Sequence, residues 1–179
     1  MEDLKEIMLK KTDLIFEETL RELKDYTQWL TSLNTYFYWS DFLGKKFSSN
    51  EVINLINEAT FDLVSSLFTS FTGFYRQGMI ALRSSLELTG LYVYYFDHLI
   101  EFKYFLKEGG YRGPLLSELI NKGDFLVKKY CSLFINENKL KKELHTEVEN
   151  TYKELSKYVH GRLGKMQTLI AFPVNYDKS

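Results

Sequence analysis

Hydrophobic positions recur along this chain at three- and four-residue intervals, the spacing that lays an apolar stripe on an α-helix. Leu4, Ile7, Met8, Leu14, Ile15, Leu20 and Leu23 alternate with Lys and Glu and predict a long amphipathic helix over 3–33. An aromatic run follows, Tyr36, Phe37, Tyr38, Trp39 and Phe42, ending near Gly44. Ser48, Ser49, Asn50 and Glu51 read as a loop carrying an N-cap. Val52, Ile53, Leu55, Ile56 and Ala59 then open a second helix towards Phe71, with Gly73 as its break.

From 74 to 107 apolar residues cover several faces, among them Met79, Leu82, Leu86, Leu91, Val93 and Phe96. A helix that is apolar all round belongs at the centre of a bundle. Gly109 and Gly110 end it, 111–114 make a turn, and shorter helices are expected over 115–121 and 124–134. The last helix spans 138–160. Gly161 then stands just past its end, and His160 in the last turn, where the helix dipole favours a cation. Residues 163–179 read as a C-terminal arm. The expected fold is all-α: one domain over 1–179, a helical bundle of about five to six helices around a long apolar central helix.

Composition narrows this further. The 179 residues are 45% hydrophobic, enough for one substantial core. Two prolines and ten glycines favour long helices over many tight turns. A formal net charge of -1 gives no bulk attraction to nucleic acid or to a membrane. The most hydrophobic segment, 79–100, is interrupted by Arg83, Glu87, Asp97 and His98, so no apolar run reaches the roughly 20 residues a bilayer requires. Residues 1–11 are charged and lack the apolar centre of a secretion signal. Cys131 is single, which rules out an intrachain disulfide and a cysteine metal cage. The expectation is a cytoplasmic chain with no cofactor, no metal and no membrane contact.

Polar residues in apolar company are the candidate chemistry. Tyr152, Leu155, Ser156, Val159 and His160 share one helix face, while Lys153, Glu154 and Lys157 take the opposite one. A hydroxyl or imidazole carried inward needs partners, because leaving it unsatisfied costs roughly 1–3 kcal/mol. On the central helix, Arg83 and Glu87 interrupt the stripe of Met79, Leu82, Leu86, Gly90 and Tyr94, four residues apart and able to pair. Ser84 lies beside them and Arg76 two turns earlier. Two readings follow. Arg83, Glu87, Ser156 and His160 either form a structural network tying helices together, or line a polar pocket with His160 as acid or base and Arg83 holding an anion. Asp97, His98 and Glu101 form a weaker metal candidate; His145 with Glu149 reads as solvated surface. Arg162 and Lys165 extend positive charge beyond His160. No phosphate loop, dinucleotide fingerprint or nucleophile elbow is present.

The segment Ala81-Leu82-Arg83-Ser84-Ser85-Leu86-Glu87, a Tyr-rich helix, and then Tyr152-x-x-Leu155-Ser156-x-x-Val159-His160-Gly161 resembles the HEPN superfamily of bacterial helical proteins, many of them from phage-defence and toxin–antitoxin systems. The resemblance covers about 61–162 of a core at 51–162. It implies an all-α bundle, usually a homodimer, acting as a metal-independent ribonuclease or as a non-catalytic, antitoxin-like partner-binding module. For a catalytic member it implies His160, Arg83 and Glu87 at the reacting centre, with Ser156, Ser84, Arg162, Lys157 and Tyr152 holding RNA. This chain departs from the superfamily's Arg-then-His signature, since no Arg lies four to six residues before His98, His145 or His160. An interaction module working through Tyr36–Phe42, and a bundle that binds a nucleotide or another small anion through Arg83, are the alternatives.

Overall fold

A computed structural model describes residues 4–22, 26–110, 114, 116–121 and 138–159. The described residues form seven helices and no strand: α1 Leu4–Glu22, α2 Tyr26–Lys46, α3 Ile53–Phe71, α4 Tyr75–Asp97, α5 Leu99–Lys107, α6 Leu116–Asn121 and α7 Asn138–Val159. None is long and apolar enough to cross a membrane. The all-α expectation holds for these residues. The segment 124–134, His160, Gly161, Arg162, Lys165 and the arm 163–179 lie outside them.

The frame is the pair α3 and α4. A three-residue connection joins them, so they are antiparallel neighbours. Thr72 caps α3, and Gly73 at φ 85° turns the chain into α4, as its position predicted. The two helices approach closely because small residues meet at their contact. A Cβ on Gly78 would collide with Ser70 Oγ and lie 3.1 Å from the Ser66 carbonyl. Further along, the buried Ser85 hydroxyl donates to the Ala59 carbonyl at 2.7 Å. The apolar core lies beyond this seam, where Val52, Ile53, Ile56 and Ala59 meet Tyr92, Tyr95 and Phe102. Each fully buried aliphatic side chain contributes about 1.5–3 kcal/mol there.

The other helices dock on this pair. On α2, Ser40 Oγ bonds Thr60 Oγ1 at 2.7 Å and Tyr36 Oη bonds Thr89 Oγ1 at 3.2 Å. Phe16 of α1 packs on Phe71 at 5.3 Å. Gly90 receives Leu116 of α6, whose Cδ1 would lie 2.5 Å from an added Cβ.

Several expectations change. Within the helix predicted over 3–33, Leu4–Glu22 and Tyr26 onward are helical, and 23–25 lie outside the described residues; the aromatic run is the second half of α2, since nothing from Tyr36 to Lys46 interrupts helical geometry. The predicted helix over 74–107 breaks at His98, and its reason is local. His98 Nδ1 engages the Tyr94 carbonyl at 2.8 Å, while the His98 amide turns to Tyr95 at 3.2 Å. Nor is α4 an apolar rod: its buried positions are Gly78, Ser85, Gly90, Tyr92 and Tyr95, and Ile80 and Val93 are exposed. Asn50 caps a turn rather than the helix, its Oδ1 accepting from the Val52 amide at 3.1 Å.

Two measurements check this packing. Gly78→Ala should destabilise the chain by about 1–3 kcal/mol, because the added methyl forces α3 from α4; an unchanged urea midpoint would refute the close approach. Tyr92 carries a buried hydroxyl with no hydrogen-bond partner, and burial raises its pKa. Tyr92→Phe should therefore be neutral or stabilising by about 1 kcal/mol, where removal of a bonded hydroxyl would destabilise.

Candidate functional site

Arg83 and Glu87 stand one turn apart on α4 and face Tyr152 of α7. Arg83 Nη2 donates to Glu87 Oε1 at 3.0 Å and to Tyr152 Oη at 3.0 Å. The Tyr152 hydroxyl in turn donates to Glu87 Oε1 at 3.1 Å. The three groups close a triangle that fastens α7 to α4. The guanidinium carbon also lies 5.1 Å from the Tyr152 ring centre, within cation–π reach.

The Arg83 side chain is 15% exposed and that of Glu87 31%. Burial works against the guanidinium charge, but the Glu87 carboxylate and the Tyr152 hydroxyl outweigh it and hold the Arg83 pKa above its ordinary value. The charge is thus fixed and locally neutralised. A phosphate or carboxylate approaching Arg83 would meet the Glu87 carboxylate already bound at Nη2. Arg83 Nε is buried without a hydrogen-bond partner.

The remaining predicted site residues are placed as follows. Tyr152 joins the cluster. Ser156 does not, because its hydroxyl donates to the Tyr152 carbonyl at 2.7 Å within α7. A helical serine finds that carbonyl four residues back before it reaches a neighbouring helix. Ser84 is half-buried beside the cluster, and it is the adjacent Ser85 that crosses to α3. Lys157 pairs with Glu154 on its own helix. His160 and Arg162 lie outside the described residues, so the site as described holds no imidazole. Asp97, His98 and Glu101 do not form a metal centre: no group of three or more His, Cys, Asp or Glu side chains among the described residues could hold an ion. His98 is committed to the Tyr94 carbonyl and stacks on the Tyr94 ring at 4.2 Å. His145 is half-buried with an unpartnered Nδ1, against the solvated surface expected of it.

The residues that sequence reasoning missed are hydroxyls: Ser40, Thr60, Ser85 and Thr89 stitch α2, α3 and α4 together. Ser85 and Thr89 four residues apart on an apolar helix were the available signal.

Removing Glu87 leaves a partly buried guanidinium unpaired, whereas removing the Tyr152 hydroxyl leaves the ion pair intact. Glu87→Ala should therefore cost about 2 kcal/mol and Tyr152→Phe about 1 kcal/mol, read from urea unfolding; the reverse order would refute the triangle. Nearer the surface, the hydrogen bond from Lys153 at 2.6 Å, aided by its charge, lowers the Glu149 pKa. The stabilisation from this pair is present above the usual carboxylate pKa and is lost as pH falls through the lowered value. In Lys153→Ala the Glu149 carboxyl resonance should titrate at higher pH than in the parent chain.

No family model, curated protein or solved structure matches this chain.

Proposed function

We propose that this chain is a helical interaction module, HEPN-like in its sequence motifs and non-catalytic, which acts in the cytoplasm by pairing with a second copy of itself. One observation carries this reading: the aromatic ridge of α2. Tyr38, Trp39 and Phe42 are 65%, 53% and 39% exposed. They brace one another edge-on, Tyr38 to Trp39 at 5.9 Å and Trp39 to Phe42 at 5.6 Å. Large, pre-positioned aromatic rings that face solvent lose little side-chain entropy on docking and are the residues in which interface energy concentrates. A two-fold pairing sets the ridge against itself, as isologous interfaces do. The Arg83 cluster supports the same reading, since its charge is already neutralised by Glu87 and so offers a ligand little.

RNA cleavage is the second reading, favoured by the meeting of Arg83 and Glu87 of α4 with Tyr152 of α7, eight residues before His160 in the sequence. It requires a phosphate to reach the Arg83 guanidinium beside Glu87, with His160 as acid or base and Arg83 stabilising the phosphorane.

Sedimentation equilibrium separates these. The parent chain should show twice its 21.2 kDa mass, and Trp39→Ala should weaken association at least tenfold with an unchanged thermal midpoint. A monomeric parent chain would remove the self-pairing. RNA cleavage in EDTA that disappears in both His160→Ala and Arg83→Ala, with folding preserved, would move the assignment to the nuclease.

A further inference from the structure

The outer face of α3 reverses the order in which a solvated helix distributes its side chains. Where α3 meets α4 its buried positions are small, Ala59 and Ser66 among them. Its largest side chains point the other way. Phe61 is 67% exposed, Phe68 68% and Val64 48%. Their spacing of i, i+3 and i+7 puts them on one stripe, about 10 Å long at 1.5 Å per residue. One turn earlier the same face is polar, with Asn54, Asn57 and Glu58 exposed. The apolar character is thus confined to the second half of the helix.

The close approach of α3 and α4 accounts for this placement. A Cβ on Gly78 would lie 3.1 Å from the Ser66 carbonyl, so the seam has no room for a ring. Phe61 and Phe68 stand outside it and contribute nothing to its closure. Beyond Phe68 the apolar surface continues through Phe71 onto Phe16 of α1, which packs on Phe71 at 5.3 Å and is itself exposed. Single exposed apolar side chains are ordinary on a protein surface, whereas several in register mark a place where another surface docks.

Charge identifies the occupant. From Phe47 to Tyr75 the chain has no Lys, Arg or His, and α3 carries Glu58 and Asp62. Glu58 precedes Phe61 by one turn and Asp62 follows it directly. On α1 no cation stands between Lys11 and Arg21, and the exposed Asp13 and Glu17 flank Phe16. None of these four carboxylates forms an ion pair among the described residues. A second copy set two-fold on the stripe would bring Glu58 and Asp62 against their own like, which an interface rejects. An anionic lipid surface is disfavoured for the same reason. The borders complement Lys or Arg, and the i, i+3, i+7 spacing is that by which one helix receives another.

We propose that the stripe of Phe61, Val64 and Phe68 docks an amphipathic helix of a different protein, its apolar side chains against the rings and its Lys or Arg side chains towards Glu58 and Asp62. This surface lies on a different helix from the aromatic ridge of α2, and the proposal does not depend on self-pairing.

Fluorescence anisotropy of labelled peptides titrated with the full chain tests it. Three peptides of about 18 residues serve as probes, a length that supports an isolated helix. The first carries Leu at helical spacing among Lys and Ala, the second replaces each Lys by Glu, and the third scatters the Leu residues of the first around the helix. At about 0.15 M salt the first should saturate, at least about tenfold more tightly than the other two. Replacing both rings, Phe61→Ser with Phe68→Ser, should weaken it at least about tenfold with an unchanged thermal midpoint. Glu58→Lys with Asp62→Lys should weaken the first peptide and strengthen the second, while Trp39→Ala leaves both unchanged. Circular dichroism verifies the folding of each variant. Equal binding of the first two peptides, no saturation up to about 1 mM, or full affinity after loss of both rings would overturn the proposal. So would dissociation of a homodimer by the paired ring substitutions, which assigns the stripe to a second copy. Binding to phosphatidylcholine vesicles that disappears in the same variant would overturn it in favour of lipid.

Discussion

The seam between α3 and α4 is the constraint on which the other contacts rest. Gly78 lets the backbones close to a distance at which an added side chain would crowd Ser70 and the Ser66 carbonyl, and Ser85 bonds the Ala59 carbonyl across the gap. With that pair set, α2 finds Thr60 and Thr89, α6 finds the recess at Gly90, and α7 finds Arg83 and Glu87. Each later helix meets a surface whose shape is already determined by small and hydroxylated residues rather than by bulky aliphatic ones. The hydroxyls at these contacts are held where partners exist, so their burial costs little.

The Arg83 triangle is best understood as part of this assembly. Arg83 and Glu87 are paired within α4 by their four-residue spacing, and Tyr152 adds the bond that brings in α7. A guanidinium held by both a carboxylate and a phenol is an effective fastener between helices and a poor hook for an incoming anion. The surfaces that remain open are different in kind: a ridge of rings on α2, and an apolar stripe with acidic borders on α3.

Much of this was legible in the sequence because helices announce themselves by spacing. The positions of α3, α6 and α7, the turn at Gly73 and the Arg83–Glu87 pair follow from intervals and from glycine. Tyr152 was legible as part of an inward stripe. What could not be read depended on competition between near-equal bonds. At His98 an imidazole displaces the backbone amide from the Tyr94 carbonyl, and neither flanking residue signals it. Ser156 was expected to reach across to the central helix and instead satisfies itself one turn back. Between Ser84 and Ser85, which serine crosses to α3 is decided by rotation about the helix axis, and a single residue's difference in spacing does not reveal it.

The self-satisfied hydroxyls have a consequence of their own. Thr31, Ser32, Thr35, Thr69, Thr72 and Ser156 all donate to carbonyls of their own helices three or four residues back. Groups that close their bonds in this way carry no information about longitudinal alignment: a neighbouring helix shifted by one turn would leave every one of those bonds intact. Alignment of α3 on α4 is therefore entrusted to the features that do cross, the Gly78 notch, the Ser85 bond and the apolar core beyond them. Damage there would be felt as a sliding of helices past one another rather than as local melting, and a chain of this composition would keep its helices while losing the order in which they fit.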